Sequence, residues 1–246
     1  MNVIKRDGTA EPLNLDKIHQ MVEFACEDIT GVSSSQVEMN SGLQFFDGIE
    51  SEQIQNILIK SASDLISLDS PNYQFVAARL LLFSVRKQVF ADWNNTGYPK
   101  LKSHVETCAE AGVYDGGILK KYDDEEWEEL NSYIDHQRCY GFTYAGLRQI
   151  VDKYLVQDRS TGRVYETPQY MYIMVAATLF QDYPKDKRLD YVKRYYTATS
   201  KGKINVPTPV LAGVRTPLRQ FASCVLVDVD DTLDSIFTSD MAIGRY

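Results

Sequence analysis

Between Phe75 and Val89 the chain is apolar on nearly every side of a helical wheel. A helix without a polar face must be buried among other elements. The residues before it supply them. Val3-Ile4-Lys5-Arg6, the turn pair Asp7-Gly8 and Thr9 to Leu13 read as a hairpin. Asn14 suits a helix cap with Asp16 in the first turn, and Leu15, Ile18, Val22 and Ala25 follow at helical spacing. A second helix is expected from Ser35 to Phe45, broken at Asp47-Gly48. Ser51 suits the cap of a third, with Ile54, Ile57, Leu58, Leu65 and Ile66 on its apolar face. Pro71 precedes the fourth. The first 90 or so residues thus predict a small hairpin on four helices.

Asp92 to Pro99 is polar, contains Gly97 and Pro99, and reads as a linker. Residues 101 to 138 are helical and acidic. The six carboxylates between Asp123 and Glu129 read as a solvated face. Tyr154-Leu155-Val156 and Arg163-Val164-Tyr165 flank a second hairpin turn. Thr167-Pro168 starts a helix that ends before Pro184, and another runs to Ser200, stopped by Lys201-Gly202. Lys203 to Leu211 reads as extended. Phe221 to Val229 alternates as a strand, and Asp231 suits the cap of a last helix through Leu233, Ile236 and Phe237.

The net charge of −8 argues against a general polyanion binder, though a local basic spot can still hold one phosphate group. The longest apolar run, Tyr170 to Phe180, falls short of the ~18 residues a membrane span needs, and the first residues lack a signal-peptide apolar region. Cys26, Cys108, Cys139 and Cys224 contain no Cys-x-x-Cys pair, which excludes a zinc ribbon; reduced cytosolic thiols are the expectation.

Several residues carry two readings. Lys5-Arg6 beside the turn is a solvated hairpin tip or a lid whose cations meet phosphates, with Lys87 able to join it. Cys224 is inert packing or a reactive thiol. Thr208, between two prolines, is a positioned hydroxyl or part of an edge strand. Asp228, Asp230, Asp231 and Asp234 suggest a cation loop, but Leu233 and Ser239 stand where an EF-hand needs glycine and glutamate. A helix start at Asp231 is the better reading, and it offers free N–H groups to a nucleotide. His19, His104 and His136 lack metal-ligand spacing.

The motifs KRDG (5–8), NLDKIH (14–19), QFFDGI (44–49), DSPNYQFVAARLLLF (69–83), YLVQDRSTG (154–162), VYETPQY (164–170), YVKRYY (191–196), PTPVLAGVRTPLRQFASCV (207–225) and DTLDSI (231–236) together resemble the N-terminal third of the large (alpha) subunit of class Ia ribonucleotide reductase. The resemblance implies a mainly helical α+β fold with three parts. Residues 1–92 would be an ATP-cone, 93–200 a helical region, and 201–246 the first strands of a ten-stranded α/β barrel. The ATP-cone implies a switch that senses ATP and dATP through Lys5, the run Glu11, Pro12, Leu13, Asn14, Leu15, Asp16 and Lys17, Ser51 and Lys87. Ser51 stands where threonine is common, and Gln55 where histidine is often found. Asp231, Thr232 and Leu233 match a specificity site for a deoxynucleoside triphosphate effector.

The same resemblance implies that Cys224 is one of two cysteines that reduce the ribose 2′ position and become a disulfide. The 2′-hydroxyl leaves as water after a thiyl radical removes the 3′-hydrogen. Thr208 and Ser223, with Cys224, match substrate contacts. No covalently bound cofactor is expected; magnesium would accompany the nucleotides, and the radical would come from a di-iron small (beta) subunit. The further expected partners are a C-terminal fragment of the large subunit and a thioredoxin or glutaredoxin system, with no membrane and no nucleic acid. The partner cysteine, thiyl-radical cysteine and radical-transfer tyrosines match nothing in this chain. The chain therefore reads as one piece of a split cytoplasmic reductase, inactive alone, the alternative being a non-catalytic ATP/dATP-sensing module.

Overall fold

The computed structural model describes residues 1–42, 44–91 and 97–246; Asp92 to Thr96, the first part of the expected linker, lie outside the described residues. Strands β1 (Asn2–Ile4) and β2 (Ala10–Pro12) form the expected antiparallel hairpin, with Val3 opposite Glu11. Gly8 turns the chain at φ +82°, a conformation that favours glycine, and its N–H donates to the Lys5 carbonyl at 2.9 Å. A third strand, β3 (Ile49–Glu50), adds parallel to β1, with Val3 beside Ile49. The sequence marks only a break there. The Asp47 carboxylate holds the edge by accepting the Asn2 N–H at 2.6 Å.

Helices α1 (Leu15–Cys26), α2 (Ser34–Gly42), α3 (Ser51–Asp64) and α4 (Tyr73–Phe90) complete this unit. Asn14 caps α1 as expected, accepting the Lys17 N–H at 3.1 Å. Helix α2 is described over Ser34–Gly42, Leu43 lies outside the described residues, and Phe45 is not helical. The cap position of α3 belongs to Glu50 rather than Ser51: the Gln53 side-chain oxygen accepts the Glu50 N–H at 3.0 Å, leaving Ser51 as the first helical residue. Val76, Ala77, Leu80, Leu82, Phe83 and Val85 of α4 are all buried, because α1, α3 and a later helix, Tyr144–Gln149, pack against it. Each such leucine contributes roughly 1.5–3 kcal/mol.

His19 of α1 sits between two carboxylates, with Nδ1 2.8 Å from Glu38 of α2 and Nε2 3.1 Å from Glu23. The hydrogen bond to Glu38 raises its pKa above the ordinary 6.5; burial opposes this, and the charges of Glu23, Glu38 and Asp16 add to it. A raised pKa gives stability that is fully present below 6.5 and lost as pH rises through the folded value. Proton NMR titration should place the His19 midpoint above 6.5, and Glu38→Gln should bring it back toward that value. A midpoint unchanged by Glu38→Gln would contradict the contact.

The second half comprises α5 (Leu101–Glu110), α6 (Asp124–Ser132), α7 (Tyr144–Gln149), α8 (Pro168–Phe180) and α9 (Lys185–Ser200). Short 3-10 turns at Gly116–Lys120 and His136–Gly141 connect them. Helix α7 runs directly into a π-helical turn, Ile150–Tyr154, so the expected hairpin starts later, as β4 (Gln157–Asp158) and β5 (Arg163–Val164). Leu101, Val105, Trp127, Leu130, Tyr170, Met174, Val192 and Tyr196 form one core. Cys139, Leu147, Ile150, Met171 and Val175 instead join the α4 cluster, so the first core extends into this half. The acidic run is not uniformly solvated. Glu126 is buried against Arg188, whose Nε donates at 2.7 Å, whereas Asp124, Glu125, Glu128 and Glu129 are exposed.

Three expectations fail beyond Ser200. Thr208–Gly213 is a short helix, α10, not extended chain; Pro207 and Pro209 fix φ values that suit a helix start. Phe221 to Val229 is not a strand: it is exposed and pairs with no other strand among the described residues. Alternation supplies faces, but a strand exists only with a hydrogen-bonded neighbour, so no strand of a barrel forms here. The cap of the last helix, α11 (Leu233–Arg245), is Thr232 and not Asp231; its Oγ1 accepts the Ser235 N–H at 3.2 Å. No helix among the described residues is long and apolar enough to cross a membrane.

Candidate functional site

The hairpin, the start of α1 and the facing sides of α3 and α4 enclose a cavity of about 300 Å³. Val3, Leu13, Ile18, Met21, Ile54 and Leu58 supply its apolar lining, while Lys5, Glu11, Asn14, Lys17, Ser51 and Lys87 supply its polar groups. Eight of the ten residues anticipated for a nucleotide line it: Lys5, Glu11, Pro12, Leu13, Asn14, Lys17, Ser51 and Lys87. Leu15 and Asp16 do not; they border a shallower depression formed by Glu11 to Lys17. Residues lining the cavity that were not anticipated include Ile18, Met21, Ile54 and Leu58, which follow from helical spacing once Lys17 and Ser51 are placed.

Charge is concentrated here. Lys5 Nζ lies 2.8 Å and Lys17 Nζ 3.6 Å from one oxygen of Glu11. The Lys5 hydrogen bond holds the Glu11 carboxyl below its usual range. Burial lowers the pKa of half-buried Lys87, and the charges of Arg6, Lys5 and Lys17 lower it further, while Glu11 partly offsets them. Lys5 and Lys17 thus share the Glu11 carboxylate, and Lys87 lines the same cavity without a carboxylate bond of its own among the described contacts. An anion attached to an apolar body would suit this arrangement, since an added negative charge relieves the mutual repulsion of the lysines. The N-terminal end of α1 adds its positive dipole end at the same place. Gln55 is buried against the cavity, its Nε2 donating to the Leu80 carbonyl at 2.9 Å.

The anticipated substrate residues are not gathered into one pocket. Cys224 is an exposed free thiol, and Ser223 Oγ is 3.8 Å from its sulfur. Thr208, also exposed, hydrogen-bonds the Tyr154 hydroxyl. Asp231, Thr232 and Leu233 are exposed at the start of α11. That helix lies along the extended segment, with Ser239 Oγ donating to the Asp228 carbonyl at 3.2 Å. Leu226 is fully exposed and Phe237 is 67% exposed. The other thiols are suppressed by burial: Cys26 is pushed up to about 11, Cys108 to about 12 and Cys139 to about 11. Burial pushes His104 down to about 4 and His136 to about 3, so both are neutral packing groups. Among the described residues no group of three or more His, Cys, Asp or Glu side chains is arranged to hold a metal ion.

A buried ion pair, which the sequence did not signal, fixes α10. Arg215 Nε donates to Glu166 at 2.8 Å, and a second guanidinium nitrogen contacts the other carboxylate oxygen. Both side chains are fully buried. Glu166 also accepts the Tyr114 hydroxyl and, at 2.6 Å, the Val156 N–H. Arg215 reaches the Leu211 carbonyl at 2.6 Å and that of Tyr154 at 2.9 Å.

Residues 1–88 match the ATP cone domain family, and residues 140–219 match the all-alpha domain of ribonucleotide reductase. Over 244 residues the chain is 50% identical to the ribonucleoside-diphosphate reductase subunit alpha of Haemophilus influenzae and 49% identical to the ribonucleoside-diphosphate reductase 1 subunit alpha of Escherichia coli. It is 40% identical over 248 residues to the ribonucleoside-diphosphate reductase subunit alpha of Enterobacteria phage T4. The alignments take in 99% or more of this chain but 32% of each relative, so the chain spans about a third of the length of the curated relatives it matches.

Proposed function

We propose that this chain, an ATP cone joined to the all-alpha domain of ribonucleotide reductase, is the nucleotide-sensing portion of a ribonucleoside-diphosphate reductase large subunit. The observation that carries the reading is the cavity lined by Lys5, Lys17 and Lys87 above an apolar floor, with Glu11 paired to Lys5 and Lys17. A triphosphate, with its magnesium, matches the three cations, and an adenine ring matches the apolar lining. ATP and dATP are the proposed ligands, contacting Lys5, residues 11–17, Ser51 and Lys87. Residues 1–92 act as the sensor, 93–200 as the connecting helical region and 201–246 as the approach to the catalytic barrel.

The chemistry belongs to an assembly. Cys224 is the proposed redox thiol: with a second thiol outside this chain it gives two electrons and two protons, one disulfide forms, and the ribose 2′-hydroxyl leaves as water. Thr208 and Ser223 contact the substrate, and Asp231, Thr232 and Leu233 bind the specificity effector, once the rest of the barrel is present. The exposure of Val225, Leu226, Val227, Val229, Ile236 and Phe237 supports this, because so many apolar side chains on one short segment require a covering surface. The remaining two thirds of a large subunit, supplied in the same polypeptide or by a C-terminal partner chain, would cover it. The radical would come from a di-iron small subunit and the reducing equivalents from a thioredoxin or glutaredoxin system.

The assay is deoxynucleotide formation from a ribonucleoside diphosphate by the reconstituted assembly. Cys224→Ser should abolish multiple turnover while leaving assembly intact, since a hydroxyl supplies no reducing electrons and the volume change is small. Undiminished multiple turnover in that variant would refute the assignment.

A further inference from the structure

Three successive residues in the last turn of α4 make contacts in three directions. Arg86 donates to the Tyr140 hydroxyl at 2.8 Å. Lys87 lines the cation-rich cavity. Gln88 leaves the helix toward the β4–β5 hairpin, where its side-chain oxygen accepts the Val164 N–H at 3.1 Å. Helix α4 is the buried rod of the first core, so a force on Lys87 is felt rigidly by Gln88.

The element that Gln88 grips is weak by itself. Its strands are two residues each, pairing Gln157 with Val164 and Asp158 with Arg163, with one further bond from the Tyr165 N–H to the Val156 carbonyl at 2.9 Å, and a two-stranded hairpin of that length has marginal stability. Side-chain clamps hold it. Gln88 takes the open end at Val164. Beside it, at the same open end of the hairpin, Glu166 accepts the Val156 N–H and binds Arg215. Arg215 in turn holds the Leu211 carbonyl of α10, the helix that begins at Thr208. From the cavity to α10 the connection therefore passes through only a few contacts, each a hydrogen bond or an ion pair of stated geometry.

We infer that Gln88 couples occupancy of the cavity to the order of the β4–β5 hairpin and of α10, resting on the reading of that cavity as a nucleotide site. An anion drawn to Lys87 fixes the last turn of α4. That strengthens the Gln88 grip on Val164 and, through Glu166 and Arg215, tightens α10. The two-state element is the hairpin, which is clamped or frayed. Linkage requires the converse as well: whatever orders the hairpin raises the affinity of the cavity.

Hydrogen–deuterium exchange of the whole chain, with and without magnesium ATP, tests this. In the wild type, ATP should slow exchange at residues lining the cavity and, by about fivefold or more, in residues 156–166 and 208–213. Gln88→Leu should keep ATP binding and the protection at the cavity but lose the distant protection. Gln88→Glu, which retains an acceptor oxygen, should restore it. Distant protection that persists in Gln88→Leu would overturn the inference. So would a wild type protected at the cavity alone, an outcome that needs no variant to fold. A wild type with no protection at the cavity would overturn the nucleotide reading itself, and the coupling with it.

Discussion

Glu166→Gln is expected to destabilise the chain by about 3–5 kcal/mol, the usual cost of leaving one member of a buried pair uncompensated. Arg215 is wholly enclosed, so its guanidinium cannot turn to water when its partner is neutralised. Burial alone would lower the Arg215 pKa, yet the Glu166 charge and hydrogen bonds outweigh burial and raise it, so the cation persists. Tyr114, whose pKa burial and the Glu166 charge push well above the usual range, keeps its proton and donates to the carboxylate. Two-state unfolding energies of this kind move the melting temperature of a chain this size by about 2–4 °C per kcal/mol, giving a fall of about 6–20 °C by circular dichroism. Adding Arg215→Met to the same chain should recover part of the loss, because no uncompensated buried charge is then left. A fall of less than about 2 °C for Glu166→Gln would mean the pair is not buried as described.

Lys87→Ala carries the second large effect. Lys87 is held half-buried near Lys5, Arg6 and Lys17, which costs stability unless an anion sometimes occupies the cavity. A charge-assisted hydrogen bond to a phosphate oxygen is worth about 1.5–3 kcal/mol, so ATP affinity should drop by about 10- to 150-fold. The unliganded variant should not be less stable, since the change also removes repulsion among the lysines. Equal ATP affinity in calorimetric titrations of the two proteins would remove Lys87 from the site.

The legibility of this chain differs along its length for physical reasons. The first 90 residues were readable because their signals are local. Asp7-Gly8 dictates a turn, Asn14 satisfies an N–H three residues on, and the all-round apolar character of α4 states that it is buried. Strand β3 was not readable. Two residues, Ile49 and Glu50, pair with a strand more than forty positions earlier, and nothing in so short a segment announces a partner. The expected strand at Phe221 to Val229 failed from the same cause in reverse: the alternating pattern is present, but no described strand pairs with it.

The site followed a similar division. Eight cavity residues were anticipated from the family motifs, and the fold brings them together from four separate elements. Spacing alone left Lys5 and Lys87 as two cations far apart in the chain. Glu166 and Arg215 were missed because a buried ion pair 49 positions apart leaves no periodic trace. In an acidic run Glu126 reads as one more solvated carboxylate. Its partner Arg188 lies 62 positions away, and only the packing of α6 on α9 reveals that it is buried. Cys224, Thr208 and the aspartates near 230 stay dispersed and exposed, as a segment does when the surface that would organise it is elsewhere.

The most direct measurement is a calorimetric titration of the whole chain with magnesium ATP at low and at moderate salt. The cavity between the hairpin and helices α1, α3 and α4 predicts saturable binding with one ATP in that cavity, weakened as salt screens the three lysines, and weakened again by Lys87→Ala. A chain that is folded by circular dichroism yet gives no saturable heat with ATP, or binds it equally well after Lys87→Ala, would contradict the account.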